Sequence, residues 1–184
     1  NIDTNVPATT EKRDKSPRLA PELESSLKRY GSYTELKRAA LIIAAAQTDK
    51  RSVKKLREEF LKIDTDASGT INEKELCAAL GVAELDTPTK DVFAKLDHDR
   101  SGEVHYHEFL AATLEAHELL NEEVLQDTFD RMDHDDSGVI SRENLRSLLG
   151  SRASDELVET LMQDGDLKRN GHVDYEEFSR VMRS

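Results

Sequence analysis

Four twelve-residue segments of this chain align on a shared glycine: DTDASGTINEKE from Asp64, DHDRSGEVHYHE from Asp97, DHDDSGVISREN from Asp133 and DLKRNGHVDYEE from Asp166. Their starts lie 33, 36 and 33 residues apart, the period of a repeated supersecondary unit. Apolar residues at helical spacing precede each segment: Val53–Leu56–Phe60, Val92–Phe93–Leu96, Val124–Leu125–Phe129 and Leu157–Leu161. Others follow: Leu76–Leu80, Phe109–Leu114, Leu145–Leu149 and Phe178–Met182. The pattern reads as helix, loop, helix, four times over. It sets the fold class as all-α.

Composition narrows what such a repeat can do. Across 184 residues, 38 acidic side chains outnumber 26 basic ones, for a net charge of -12. The imbalance is local. Residues 1–60 carry 13 Lys and Arg against 9 Asp and Glu, whereas residues 61–184 carry 13 against 29. An acidic body of this kind excludes nucleic acid, whose phosphates need a cationic face. Apolar residues, at 36%, suffice for compact cores and argue against a disordered chain. The longest apolar run, Ala39 to Ala46, is far too short to span a bilayer. One cysteine makes no internal disulfide and fits a reducing, cytoplasmic setting. The first residue is Asn1, so the chain reads as a fragment or a processed product.

The acidic clusters have a metal-ligand spacing. Calcium takes six to eight oxygen ligands, and a twelve-residue loop supplies them from positions 1, 3, 5, 7, 9 and 12, with position 7 giving its carbonyl. Position 6 must turn sharply, and Gly69, Gly102, Gly138 and Gly171 stand there, tolerant of positive φ. Position 8 is β-branched throughout (Ile71, Val104, Ile140, Val173) and suits a short β contact between paired loops. Magnesium is the second choice of ion, because its octahedral demand fits a full oxygen cage less well.

These residues resemble the EF-hand family over residues 51–184. Ser68, Ser101 and Ser137 at position 5 depart from the stricter Asp or Asn, yet each hydroxyl is still an oxygen donor. The first loop offers Asp64, Asp66, Ser68, the Thr70 carbonyl and Glu75; the second offers Asp97, Asp99, Ser101, the Glu103 carbonyl and Glu108. Both sets are complete, and both loops are expected to bind Ca2+. The third has Asp133, Asp135, Ser137 and the Val139 carbonyl, but Asn144 replaces the bidentate Glu. The fourth keeps Asp166, Asn170, the His172 carbonyl, Asp174 and Glu177, but Lys168 stands at position 3. An ammonium has donors only, and its stem is expected to carry the charge outward. The expected order of affinity is first and second, then fourth, then third, with the poor third loop handicapping the fourth. His98, His105, His107, His134 and His172 read as exposed loop residues rather than a zinc site, and Cys77 as a small core residue.

Ahead of the repeats lies a basic leader. Residues 1–18 read as a flexible linker. From Pro21, Leu23, Leu27 and Tyr30, then Leu36, Ala40 and Ile43, recur at helical spacing, giving a long amphipathic helix that Gly31 breaks or bends. Lys28–Arg29 and Lys37–Arg38 lie alongside. Calmodulin-like lobes grip a helix of this type, with Leu27, Tyr30, Leu36, Ala40 and Ile43 as anchors and the cations against an acidic rim. The same residues also suit an ordinary core helix, and a membrane-surface helix ranks last because the basic face is short and Trp is absent.

The segment YTELKRAALIIAAAQ followed by VKKLREEFLKIDTDASGTI resembles the junction and calmodulin-like domain of calcium-dependent protein kinases, a family of plant and protist Ser/Thr kinases. The resemblance implies a kinase domain upstream, a junction helix that inhibits it, and EF-hands that relieve inhibition when calcium rises. It implies four divisions: linker 1–18, junction helix 19–50, an EF-hand pair at 51–117 and another at 118–184. The implied partners are the tethered kinase domain and the chain's own junction helix. A free-standing sensor acting on another protein in trans, and a calcium buffer, are the alternatives. No glycine-rich nucleotide loop, HRD or DFG motif occurs, so the chain itself is expected to lack kinase activity. Only three Met residues are present, which suits a groove fitted to one tethered target.

Overall fold

The structure, a computed structural model, describes residues 18–84 and 86–184; the linker expected at 1–18 lies outside them except for Arg18. The leader forms α1 (Pro21–Tyr30) and α2 (Glu35–Gln47). The first two repeats supply α3 (Lys54–Ile63), β1 (Thr70–Ile71), α4 (Glu73–Leu80), α5 (Thr87–Leu96), β2 (Val104–His105) and α6 (Tyr106–Thr113). The last two supply α7 (Glu122–Met132), β3 (Val139–Ile140), α8 (Arg142–Leu149), α9 (Asp155–Gly165), β4 (Val173–Asp174) and α10 (Tyr175–Met182). A 3₁₀ turn at Glu115–His117 joins the two halves.

Local chemistry sets these boundaries. Pro21 opens α1, where a missing N–H costs nothing. The side chains of Asn72, Asn121, Ser154 and Asp174 accept from the first-turn amides of α4, α7, α9 and α10. The position-8 residues pair as expected, antiparallel, with Ile71 opposite Val104 and Ile140 opposite Val173. Each half also repeats one aromatic cluster. Phe60 lies edge-on to Tyr106 and Phe109 with centroids 5.2 and 5.5 Å away, and Phe129 to Tyr175 and Phe178 at 5.3 and 5.5 Å. Such pairs add about 0.5–1.5 kcal/mol each beyond their burial.

The leader is two helices rather than one long one. Gly31 keeps a right-handed φ of -59°, so conformational freedom is not what the position requires. Its lack of a side chain matters instead, because a Cβ there would lie 2.9 Å from Val92 Cγ2 on α5. Thr34 is extended, and its hydroxyl accepts the Lys37 N–H at 3.3 Å, starting a new helix. Each piece then finds its own bed. α1 packs against α5 and α6, and α2 packs against α6, α7, α9 and α10. Leu23, Leu27, Tyr30, Leu36, Ala40, Leu41 and Ala44 are buried in one core continuous with both halves.

Candidate metal centre

All four loops share one backbone frame. Asp at position 1 accepts two main-chain N–H bonds, from positions 5 and 6. Asp64 takes Ser68 and Gly69 (2.9 and 2.9 Å), Asp97 takes Ser101 and Gly102 (2.8 and 2.8 Å), Asp133 takes Ser137 and Gly138 (3.1 and 2.7 Å), and Asp166 takes Asn170 and Gly171 (2.8 and 2.7 Å). The position-6 glycines have φ between 83° and 90°. Position 4 is left-handed too, at Ala67, Arg100, Asp136 and Arg169, a requirement that the residue types at those positions do not announce.

The first two loops bring their acids together. Carboxylate oxygens of Asp64, Asp66 and Glu75 lie within 4.8 Å of one another, and so do those of Asp97, Asp99 and Glu108. Ser68 Oγ is 3.2 Å from the Thr70 carbonyl, and Ser101 Oγ is 2.9 Å from that of Glu103, so positions 5 and 7 face the same space. Three carboxylates with a hydroxyl and a carbonyl make a hard-oxygen set that fits calcium. Glu75 accepts from Thr65 N and Asn72 N, and Glu108 from His98 N and His105 N. Burial nevertheless holds Glu108 above the ordinary carboxylate range. Hydrogen bonds from Ser68 hold Asp66 below it. One link was not foreseen: Thr70 Oγ1 donates to Glu103 Oε2 at 2.6 Å, joining the two loops side chain to side chain through position 7.

In the last two loops nitrogen donors meet the acids that remain. Asn144 Oδ1 accepts from Ser141 N at 2.8 Å, which turns its Nδ2 toward Asp135 Oδ1 at 3.2 Å and His134 Nδ1 at 2.6 Å. The Asn144 bond, with help from Ser137 and Asp133, depresses Asp135 to about 2. In the fourth loop, Lys168 keeps its ammonium at the exposed rim. Its Nζ bonds Asp174 at position 9 and the exposed Glu176 at position 11, the latter at 3.1 Å. These two bonds raise the Lys168 ammonium and lower Asp174. Glu177 is satisfied by Lys168 N and Asp174 N at 2.7 and 3.1 Å, and Asn170 Oδ1 accepts the His172 N–H at 3.3 Å. Neither loop forms a three-acid cluster among the described residues.

Of the five expected anchors, Leu27, Tyr30, Leu36 and Ala40 are buried, whereas Ile43 is only partly so. Among the described residues, the leader's cations make one ion pair beyond their own helices. Lys28 pairs with Glu24 and Arg38 with Glu35, both within their own helices. Lys37, 1% exposed, reaches Glu115 at 2.8 Å, the Ser184 main-chain oxygen at 2.8 Å and the Tyr33 ring at 3.9 Å from its centroid. Cys77 is buried on α4, while His98, His105 and His172 are half-buried rather than exposed.

No helix among the described residues is long and apolar enough to cross a membrane. The chain matches the family described as EF-hand domain pair at residues 32–114 and 122–183. Over 86% of its length it is 32% identical to calcium-dependent protein kinase 2 of Zea mays, and over 87% it is 34% identical to calcium-dependent protein kinase 9 of Arabidopsis thaliana. It is likewise 32% identical to calcium-dependent protein kinase 7 of Oryza sativa subsp. japonica over 90% of its length. It spans about a third of each of these relatives, 30–32% of their length. The chain belongs to the EF-hand domain pair family, as a calcium-binding protein with two such pairs.

Proposed function

We propose that this chain is the calcium-sensing regulatory region of a cytoplasmic calcium-dependent Ser/Thr protein kinase, with α1 and α2 as its tethered target. The ligands are Asp64, Asp66, Ser68, Thr70 and Glu75 in one site and Asp97, Asp99, Ser101, Glu103 and Glu108 in the other. The observation that carries the reading is that the leader lies in the helical beds of both EF-hand pairs, where a captured inhibitory segment would lie. A calcium ion bound in these loops supplies positive charge to carboxylates that otherwise repel.

The chain's own residues carry the signal onward. Glu108 sits in the first turn of α6, and α6 is packed along both α1 and α2. Ser26 Oγ on α1 donates to the Ala112 carbonyl of α6 at 2.6 Å. A change in the pull on Glu108 is therefore felt directly by the leader. Without that pull the α1 part of the leader is free to obstruct the kinase domain; with it, that part is held. Turning a mostly inhibited population into a mostly active one needs roughly 5.5 kcal/mol of differential binding, within reach of two coupled sites. Scattering and apolar-dye binding with and without calcium test the idea. A change of shape and dye response is expected, and an unchanged profile would mark a buffer instead.

A further inference from the structure

We propose that the second EF-hand pair closes its two loops with its own side-chain donors and holds α2 without calcium, leaving only the loops at Asp64 and Asp97 to respond to the ion. The inference rests on the calcium-sensing reading for those first two loops and deepens it.

Three observations carry it. The place where the third loop would gather acid ligands contains an amide N–H, since Asn144 Nδ2 points at Asp135 and its oxygen is committed to Ser141. In the fourth loop the position-9 acid, Asp174, is already paired with the Lys168 ammonium, which also bonds Glu176 at the exposed rim. An amide or ammonium nitrogen bearing hydrogens has no lone pair to offer a cation. A cation entering the fourth loop would also have to compete with that ammonium for Asp174. Yet both loops keep the frame of the first two. Their position-6 amides bond to Asp133 and Asp166 at 2.7 and 2.7 Å, and β3 pairs with β4. They therefore share the folded frame of the first two loops, with Asn144 and Lys168 adding donors that those loops lack.

That folded form is what α2 docks on. The Leu36 amide donates to Asp164 Oδ2 at 3.2 Å, and the Leu36 side chain abuts Gly165, immediately before the fourth loop. A lobe that needs no ion thus gives the leader a fixed anchor, and α1 with α6 becomes the part that calcium moves.

Calorimetric titration of residues 1–184 with calcium tests the division, using the native chain, Glu75→Gln/Glu108→Gln, and Asn144→Glu/Lys168→Asp. Expected are two sites, no tight site, and four sites respectively. Hydrogen exchange on the native chain, in chelator and in calcium, is the readout that needs no variant: α7–α10 and the first turn of α2 keep their protection while α3–α6 change. Calcium binding retained by Glu75→Gln/Glu108→Gln, or calcium-dependent protection of α7–α10 in it, overturns this inference. A native chain that binds no calcium would instead sink the sensing reading.

Discussion

Leu36 occupies the space that any side chain at position 165 would need. A Cβ on Gly165 would lie 2.5 Å from Leu36 Cδ2 and 2.7 Å from Val173 Cγ2. One glycine thus lets the leader's second helix, the end of α9 and the β4 strand meet at a point. Asp164, one residue earlier, accepts the Leu36 N–H, so side chain and backbone of Leu36 are held at the same place.

Gly165→Ala should therefore loosen this junction. The backbone there is helical, so the cost is steric and of the overpacking kind, about 1–3 kcal/mol. The removal of the partner, Leu36→Ala, should cost about 2–5 kcal/mol through the cavity it leaves. Thermal unfolding of both variants, with exchange rates for the α2 amides, checks the pair. A Gly165→Ala protein as stable as the native one, with α2 equally protected, would show that the contact carries nothing.

Much of this was legible in the residues alone. Spacing and the four glycines gave the loops, the paired strands and the two acid clusters, because calcium loops encode their geometry position by position. The junction of Leu36 with Gly165 was not legible, since it joins residues far apart in sequence through a missing side chain. The split of the leader was half visible: Gly31 marked the place, but its reason is Val92 on a distant helix. The partners of Lys168 were not legible, because a flexible stem has many directions and only the positions of Asp174 and Glu176 choose among them.

Lys37 and Glu115 should prove energetically coupled. The ammonium is buried against Glu115, the Ser184 oxygen and the Tyr33 ring, and the Tyr33 hydroxyl donates to the other oxygen of Glu115. A cation this buried, stripped of its carboxylate, keeps its desolvation cost. A double-mutant cycle with Lys37→Ala and Glu115→Ala should give a coupling of about 0.5–3 kcal/mol, read from denaturant midpoints. A coupling of zero would reduce the cluster to packing.

Calcium binding should release a proton at mildly acidic pH. Burial raises Glu108 above the ordinary carboxylate range, and only its carboxylate form can ligate. Just above that ordinary range, binding must expel the proton, so affinity climbs with pH there and levels off at neutral pH. The sign for folding is opposite: a raised acid stabilises the ion-free fold at low pH, and this contribution is lost as pH rises through the shifted value. Calorimetry in two buffers of different ionisation enthalpy separates proton release from binding heat. Equal heats in the acidic pair would contradict the prediction.

The two acidic ends of the ion-binding loops should not be equivalent. Glu75 lies in the first turn of α4 and Glu108 in the first turn of α6, and α6 is the helix packed along both pieces of the leader. Changing either Glu to Gln removes a charge from its own site and should weaken calcium there by at least about tenfold, roughly 1.4 kcal/mol. Only Glu108→Gln should also uncouple the leader, because the force that α6 transmits through Ser26 and Ala112 starts at that residue. Thr70 and Glu103 bridge the loops at 2.6 Å, so Glu75→Gln will still reach α6, but at second hand. Exchange protection of the α1 amides, followed through a calcium titration, should rise with Glu75→Gln at a higher calcium level than in the native chain. With Glu108→Gln it should stay flat. The same displacement for both variants would place the transmission in the shared strand pair, not in α6.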